Sequence, residues 1–439
     1  MGIRNQNKPA FLTRATGSIS IQFLVIMVPV VFGLMGFAID LGRLYLVRGE
    51  LNQAAASMAL AAAARLNGTA VAADDATLAA RLTIDDAGGH GNKYNFGSLV
   101  IGASGGTLAS EAPDPSYYAT AADAIGEDQN SGASTSAGTE AKHVRVDLNA
   151  EAPLTFWGFL TLGQSRKTSI AGRASAGMSA PVCTACGIDP LVIAAIDLDD
   201  TVDFGFAAGT LYTLGYQCNG GPAPQLLAGT TARVPYLLID RFDDTSIQEE
   251  GQQLYRIGAQ GLLPNSTPAK ACVTIASTDG EQIWGAVNGG TLTSAPRACN
   301  QNMQQAVTDV LCGIYTRLDQ NVTAPAACSV VTDVDTLAAT YTADRDVTSL
   351  EDYTAYTGNA RRVMIFPVVD ALNGAGAMTV LGFRQFLLQP NPNDVVTNPA
   401  DANGRFIGLY IGNKVPLKQG GFSGSCGVTS GPGKVVLLQ

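Results

Sequence analysis

The sequence predicts an α+β protein. A single N-terminal transmembrane helix continues into a long helix, followed by a small α+β module and a β-rich, disulfide-stapled ectodomain. Three observations lead there. Ile19 to Ile39 carry no charged residue. The helical pattern runs on past them to Leu66. All eight cysteines lie on the C-terminal side of that helix. The expected divisions are a cytoplasmic tail at 1–16, the helix at 17–66, the α+β module at 67–180 with a flexible insert at 105–140, and the β-rich domain at 181–439.

The helix comes first. About 21 residues at ~1.5 Å each span ~31 Å, close to the hydrocarbon thickness of a bilayer. Ser20 and Gln22 are the only side-chain hydrogen-bonding groups in that run. Beyond Asp40, the residues Leu41, Leu44, Tyr45, Leu51, Ala55, Met58, Ala62 and Leu66 mark one apolar face. The second half is rich in alanine, the best helix former, and Asn67-Gly68 supplies a stop. A cleaved secretory signal fits poorly, because the apolar core is too long and no A-x-A site follows it. A soluble core helix rarely needs so many uncharged residues in a row, so a membrane anchor is the expectation.

Several residues in and beside this run invite contact with a partner helix. Gln22 is costly against lipid, which puts it near the cytoplasmic boundary or against another helix. Gly33 and Gly36 thin one side of the rod, although their spacing is not GxxxG. Pro29 is a candidate kink. Asp40 and Arg43 can pair at i,i+3 on the outer boundary, which by itself accounts for both. Gln22, Gly33, Gly36, Asp40 and Arg43 form the candidate helix-partner interface, with ordinary anchoring as the simpler alternative.

Charge and cysteine set the surroundings. The chain has 439 residues and a net charge of −10, with only 27 Lys and Arg. A nucleic-acid partner is therefore not expected, since phosphate neutralisation needs clustered basic residues. Arg4, Lys8 and Arg14 precede the apolar run, and Arg43 and Arg48 follow it, so the positive-inside bias is modest. The cysteines are Cys183, Cys186, Cys218, Cys272, Cys299, Cys312, Cys328 and Cys426. An even number spread through loop-like sequence fits disulfides in an oxidising compartment. That favours a cytoplasmic N-terminus and an external body. Connectivity stays open, local pairs such as Cys312 with Cys328 included.

Past the helix, Asp74 to Asp86 reads as a short helix. From Gly105 to Glu140 the composition turns to Ala, Gly, Ser, Thr and Asp, which buries little, and a long surface loop is expected. His143–Leu148 alternates with a period of two and Thr168–Met178 reads as its partner strand. Between them Pro153–Leu160 is strongly apolar, a membrane-proximal hairpin or short helix. The second domain carries short apolar runs at Leu191–Ile196, Tyr236–Ile239, Val363–Val369, Ala377–Leu388, Phe406–Ile411 and Val435–Leu438, separated by Gly, Pro and Asn-Gly turns. Asn302–Leu318 has the periodicity of a helix.

No motif carries convincing chemistry. Cys183-Thr184-Ala185-Cys186 has C-x-x-C spacing, but no strand-to-helix unit surrounds it and no second pair completes a zinc site. Structural disulfides are the simpler reading. Asp197-Leu198-Asp199-Asp200-Thr201 has the oxygens for calcium, but departs from D-x-S-x-S and equally describes a solvated turn. Gly421–Ser425 is not G-x-S-x-G, and both histidines, His90 and His143, lie in the first half of the chain. No enzyme, cofactor or metal centre is expected.

The N-terminal stretch resembles the TadE/TadG-like family of Flp (tight-adherence) pilus-assembly proteins. The residues that carry the resemblance are Gly17, the apolar run with Pro29, Ala38-Ile39-Asp40-Leu41-Gly42-Arg43, and Leu51-Asn52-Gln53-Ala54-Ala55-Ala56-Ser57-Met58-Ala59-Leu60-Ala61-Ala62-Ala63. The family often has aspartate where this chain has Ser57. The strand pair around 143–178 and segments near Arg361-Arg362-Val363, Gly382-Phe383 and Gly431-Pro432-Gly433 are similar with less specificity. The resemblance implies a bacterial inner-membrane protein with a periplasmic body, whose partners are the bilayer and other pilus-assembly or envelope proteins. Pilin-like members carry glutamate five residues after a cleavable glycine. Gln22 stands at that position after Gly17, so an anchored, unprocessed assembly factor is expected. The alternative is a calcium-binding adhesion or ligand-recognition ectodomain on the same anchor.

Overall fold

A run of helix formers without a terminating signal should stay helical, and it does. In the computed structural model, α1 runs Thr16–Ala63 with Pro29 inside it. The structure describes residues 16–84, 114–126, 134–154, 156, 167–217, 223–239, 251–261, 272–275, 282–284, 301–318, 344, 352–373, 377–389, 404–422 and 426–438. The helix stops where the sequence places its stop. Gly68 adopts φ +78°, and Asn67 Oδ1 accepts from both the backbone N–H and the hydroxyl of Thr69. The architecture is mixed α+β: one long apolar helix and a β-rich remainder with two disulfides among the described residues.

The chain forms two compact units. The first draws its described residues from Met1–Met58, Arg81–Asp114 and Val146–Ala174. Here Leu51, Ala54, Ala55 and Met58 are fully buried; of the face that three- and four-residue spacing marks, Leu51, Ala55 and Met58 are covered, whereas Leu41 and Tyr45, nearer the apolar run, are exposed. β2 (His143–Pro153) and β3 (Lys167–Met178) are neighbours in a four-stranded sheet. At Gly172 on β3 an added Cβ would stand 2.7 Å from the Leu51 Cβ, so glycine lets helix and strand backbones approach closely. Asn52 Oδ1 accepts from the Arg173 amide at 3.3 Å. Arg173 Nε in turn donates to Asp147 at 2.6 Å, linking β3 to β2.

The second unit comprises Ala59–Ala80, Pro115–Arg145 and Ser175–Gln439. The sheet's order is β1-β2-β3-β14, with β1 at Ser116–Tyr118 and β14 at Val435–Leu437. Two expectations change here. The stretch 105–140, expected as a loop, contains β1 and a short helix, α3 (Ala121–Ile125), capped by Thr120. Composition missed this because two tyrosines supply the apolar area. Tyr117 and Tyr118 are both buried, the Tyr117 hydroxyl bonds Thr77 at 2.8 Å, and Arg145 lies over the Tyr118 ring. Val435–Leu438 was expected among the strands of the β-rich domain; its strand instead pairs antiparallel with β3. α2 (Ala72–Ile84) matches the short helix expected near Asp74.

The apolar runs beyond residue 190 close on themselves. β5 (Leu191–Ala194), β7 (Ala232–Leu238), β6 (Leu211–Tyr216), β12 (Arg405–Gly412), β11 (Ala377–Leu388) and β10 (Val363–Val369) pair in that order, and β10 pairs with both β11 and β5. The ring is a six-stranded barrel, a closure that leaves no open edge. Two of its pairings, β10–β5 and β6–β7, are parallel. A short strand, β9 (Gln282–Trp284), extends β11 at its start. Phe366, Phe386, Phe406 and Tyr410 fill the principal core, with Phe386 5.1 Å from Tyr410 and 5.5 Å from Phe366 between ring centres. Their neighbours Leu387, Leu409 and Ile411 belong to a second cluster with Tyr353 and Tyr356, the two-residue alternation of a strand buried on both faces.

A third sheet staples the barrel's flank. β4 (Thr184–Cys186) lies between β8 (Cys272–Thr274) and β13 (Gln419–Gly421). Two helices, α4 (Gly251–Ala259) and α5 (Gln301–Tyr315), pack together, and α5 is the helix expected at Asn302–Leu318. Just past α5, Arg317 and Asp189 form a buried ion pair. Arg317 Nε donates to the Ala259 carbonyl at 2.6 Å and Nη1 to Val363 at 3.1 Å, while Asp189 Oδ2 accepts from the Ile365 amide at 2.7 Å. One pair thus joins both helices to β10. Burial pushes the Asp189 carboxyl up to about 6 against the opposing pull of Arg317.

Candidate functional site

The residues singled out on α1 share one seam. Gln22, Pro29, Gly33, Gly36, Asp40 and Arg43 follow one another at steps of seven, four, three, four and three. Such steps keep side chains on one helical face. The structure treats the two ends of that seam differently. Gln22 is exposed, and at Gly33 an added Cβ would meet nothing within 4 Å. Gly36 and Asp40 are buried, Asp40 to 4% exposure.

What covers them is Phe156, from the connection after β2. Its backbone N–H donates to Asp40 Oδ2 at 2.9 Å. A Cβ at Gly36 would fall 2.7 Å from the Phe156 Cβ and Cγ. Aspartate supplies the acceptor, and one turn earlier glycine supplies the space. The side chain of Arg43 is on an exposed position of the same seam. Sequence reasoning placed Asp40 opposite Arg43 and marked Pro153–Leu160 as membrane-proximal, but had no means of joining Asp40 to a residue 116 positions away. Thr155 and residues 157–160 of that apolar run lie outside the described residues, as do the tail at 1–15 and His90.

Around this collar, α1 is an exposed apolar surface. Ile21 to Ile39 present their large side chains outward, from 66% exposed at Ile21 to 47% at Ile39. A core helix of a soluble domain would bury them. Among the described residues one helix, Ile21–Ala63, is long and apolar enough to cross a membrane.

The other candidates take structural roles. Cys183 bonds Cys426 and Cys186 bonds Cys272, so the two thiols of C-x-x-C are not a local redox couple. The second bridge joins directly opposed residues of β4 and β8. Cys312 is disulfide-bonded as well; Cys218, Cys299 and Cys328 lie outside the described residues. Asp200 spends its carboxylate on its own loop. Oδ1 accepts from Val202 and Asp203, and Oδ2 from Gly205. Those three backbone bonds hold its pKa below the ordinary carboxylate range. Among the described residues no three His, Cys, Asp or Glu side chains converge to hold a metal. His143 is buried in β2, and burial, together with the Lys142 charge, lowers its pKa.

The geometry defines a class: an α+β protein whose long N-terminal helix carries an exposed apolar stretch of bilayer length and, beyond it, packs on its own sheet. Comparison with known proteins sharpens one part of it. Residues 17–65 match the family model described as putative Flp pilus-assembly TadE/G-like. The matched region coincides with α1 and its stop. No curated protein and no solved structure matches the chain.

Proposed function

We propose that this protein is a membrane-anchored, non-enzymatic structural or assembly component of a Flp-type pilus or related envelope machinery. Its body faces the periplasm and its N-terminus the cytoplasm. The observation that carries the reading is the coincidence of the TadE/G-like match with α1, half of it apolar and exposed, half alanine-rich with a buried face. The two disulfides among the described residues, Cys183–Cys426 and Cys186–Cys272, support the oxidising side of the membrane. Gln22 and Gly33 form the part of the seam offered to a neighbouring helix, and Gly36, Asp40 and Arg43 lead from it into the collar. Within a bilayer, small residues permit close approach and a glutamine amide gains from a partner.

The test is genetic and biochemical together. Deleting the gene should abolish or reduce surface pili, and complementation with the intact chain should restore them. Gln22→Leu combined with Gly33→Leu should leave the protein in the membrane yet fail to restore pili. Normal piliation in the deletion strain would remove the assembly role. Recovery of the intact chain in the soluble fraction without detergent would remove the anchor.

A further inference from the structure

The loop between β5 and β6 holds three large apolar side chains in solvent: Ile196, Leu198 and Val202 are 56%, 58% and 55% exposed. A lone apolar residue on a surface needs no explanation, but three in so short a loop make a patch. Backbone contacts pin this loop along its length. Besides the three amides held by Asp200, Asp197 Oδ1 accepts from the Asp199 amide at 2.9 Å. The amides of Ile196 and Asp197 both donate to the Phe204 carbonyl, at 2.9 and 3.1 Å. The Val202 carbonyl accepts from the Ser430 hydroxyl at 2.9 Å and from the Arg384 guanidinium. The aliphatic tips therefore stand on a frame already ordered by folding, so covering them costs little further entropy. Asp197 and Asp199 lie among them, both exposed. The result is an aliphatic knob with an acidic rim.

A second patch carries the opposite charge. Phe422 follows directly on β13 and is 48% exposed. Lys434 Nζ lies 5.1 Å from its ring centre and donates to the Gly420 carbonyl at 3.4 Å. Lys418, exposed, stands just before β13. Among the described residues neither lysine is ion-paired, and neither are Asp197 and Asp199. A short stretch of chain links the two patches, since Ser430, which holds Val202, precedes Lys434 by one extended turn of sequence, Gly431-Pro432-Gly433.

We propose that this surface binds a second copy of the chain, as a two-fold pair in which the acidic knob of each copy meets the Phe422–Lys434 patch of the other. A two-fold interface needs a surface that complements itself, and linked patches of opposite charge supply that. The aliphatic tips and the Phe422 ring leave solvent together, and Asp197 and Asp199 gain the lysines they lack within one chain. At a net charge of −10 the copies repel each other at long range, so this local match selects the contact. The pairing goes beyond the assembly role and does not depend on α1 or on a bilayer.

The experiment uses the full chain in detergent micelles, unlabelled copies mixed with ¹⁵N-labelled ones and treated with a zero-length carbodiimide. Peptides joining Asp197 or Asp199 to Lys434 or Lys418 are expected with one partner of each isotope, which only a bond between copies can give. Sedimentation should show a dimer. Leu198→Asp, at an exposed position, should abolish both the dimer and the mixed-isotope peptides while leaving the melting temperature unchanged. Asp199→Lys should raise the dimer dissociation constant by roughly tenfold, because like charges then face each other, and adding Lys434→Asp in the same chain should restore it. A monomer at all concentrations overturns the pairing, and so does growth into species larger than a dimer. A dimer that survives Leu198→Asp but is lost in Gln22→Leu with Gly33→Leu assigns association to the seam on α1 and overturns this inference alone.

Discussion

The backbone amide of Phe156 and the carboxylate of Asp40 meet at 2.9 Å across 116 residues of sequence. A buried carboxylate holding a main-chain donor is a charge-assisted bond, stronger than a neutral one. It ties the sheet's distal connection to the helix where the helix acquires its first charge. Asp40→Ala should cost about 1–3 kcal/mol, the usual penalty for orphaning a buried partner. Amide hydrogen exchange at Phe156 in detergent micelles checks this directly: protection falls in Asp40→Ala and is largely kept in Asp40→Asn, whose amide oxygen still accepts. Unchanged protection in both variants would show the bond to be dispensable.

Arg317 and Asp189 make a second prediction. The pair is buried, with both side chains 3% exposed, and Arg317 also holds carbonyls of Ala259 and Val363. Removing the cation alone strands a carboxylate in the interior, so Arg317→Met should destabilise by about 3–5 kcal/mol. Replacing both, as Asp189→Leu with Arg317→Met, should recover a large part of that loss. Urea unfolding of the two variants measures the difference. Equal destabilisation would mean that the carbonyl contacts, not the charge pair, dominate.

Asp189 also sets a pH dependence. Burial raises its folded pKa to about 6, above the ~3.9 of an unfolded aspartate. The folded state therefore binds the proton more tightly. Its contribution to stability is fully present below about pH 4 and is lost as the pH rises toward about 6. Thermal melts between these values should show the unaltered chain losing stability relative to Asp189→Asn as pH increases. Parallel curves would assign the pH dependence to other groups.

The two bridges should differ when removed. Cys183–Cys426 closes 243 residues, whereas Cys186–Cys272 closes 86 and lies across strands already paired through their backbones. Each contributes on the order of 2–4 kcal/mol, more for the longer loop. Melting of Cys183→Ala with Cys426→Ala should therefore fall further than melting of Cys186→Ala with Cys272→Ala. Alkylation of the native chain without reductant should leave all four cysteines unlabelled.

Local signals made much of this molecule legible. The uncharged run, the alanine face and Asn67-Gly68 set the start, packing side and end of α1, because helix length and amphipathicity depend on near neighbours. Short apolar runs bounded by Gly, Pro and Asn-Gly turns marked β10, β11 and β12 almost to the residue for the same reason. What chain order cannot express is which distant segments meet. Barrel closure through β10 with β5, the arrival of β14 beside β3, and the pairing of Cys183 with Cys426 were decided by how complementary faces bury one another. Tyr117 and Tyr118 turned a stretch of loop-like composition into ordered structure once Thr77 and Arg145 came within reach. Asp40 shows the division most clearly. The sequence by itself marked it as the point where the helix becomes charged, but only the folded chain could bring Phe156 to it, since a buried carboxylate takes its partner from whatever the tertiary packing delivers.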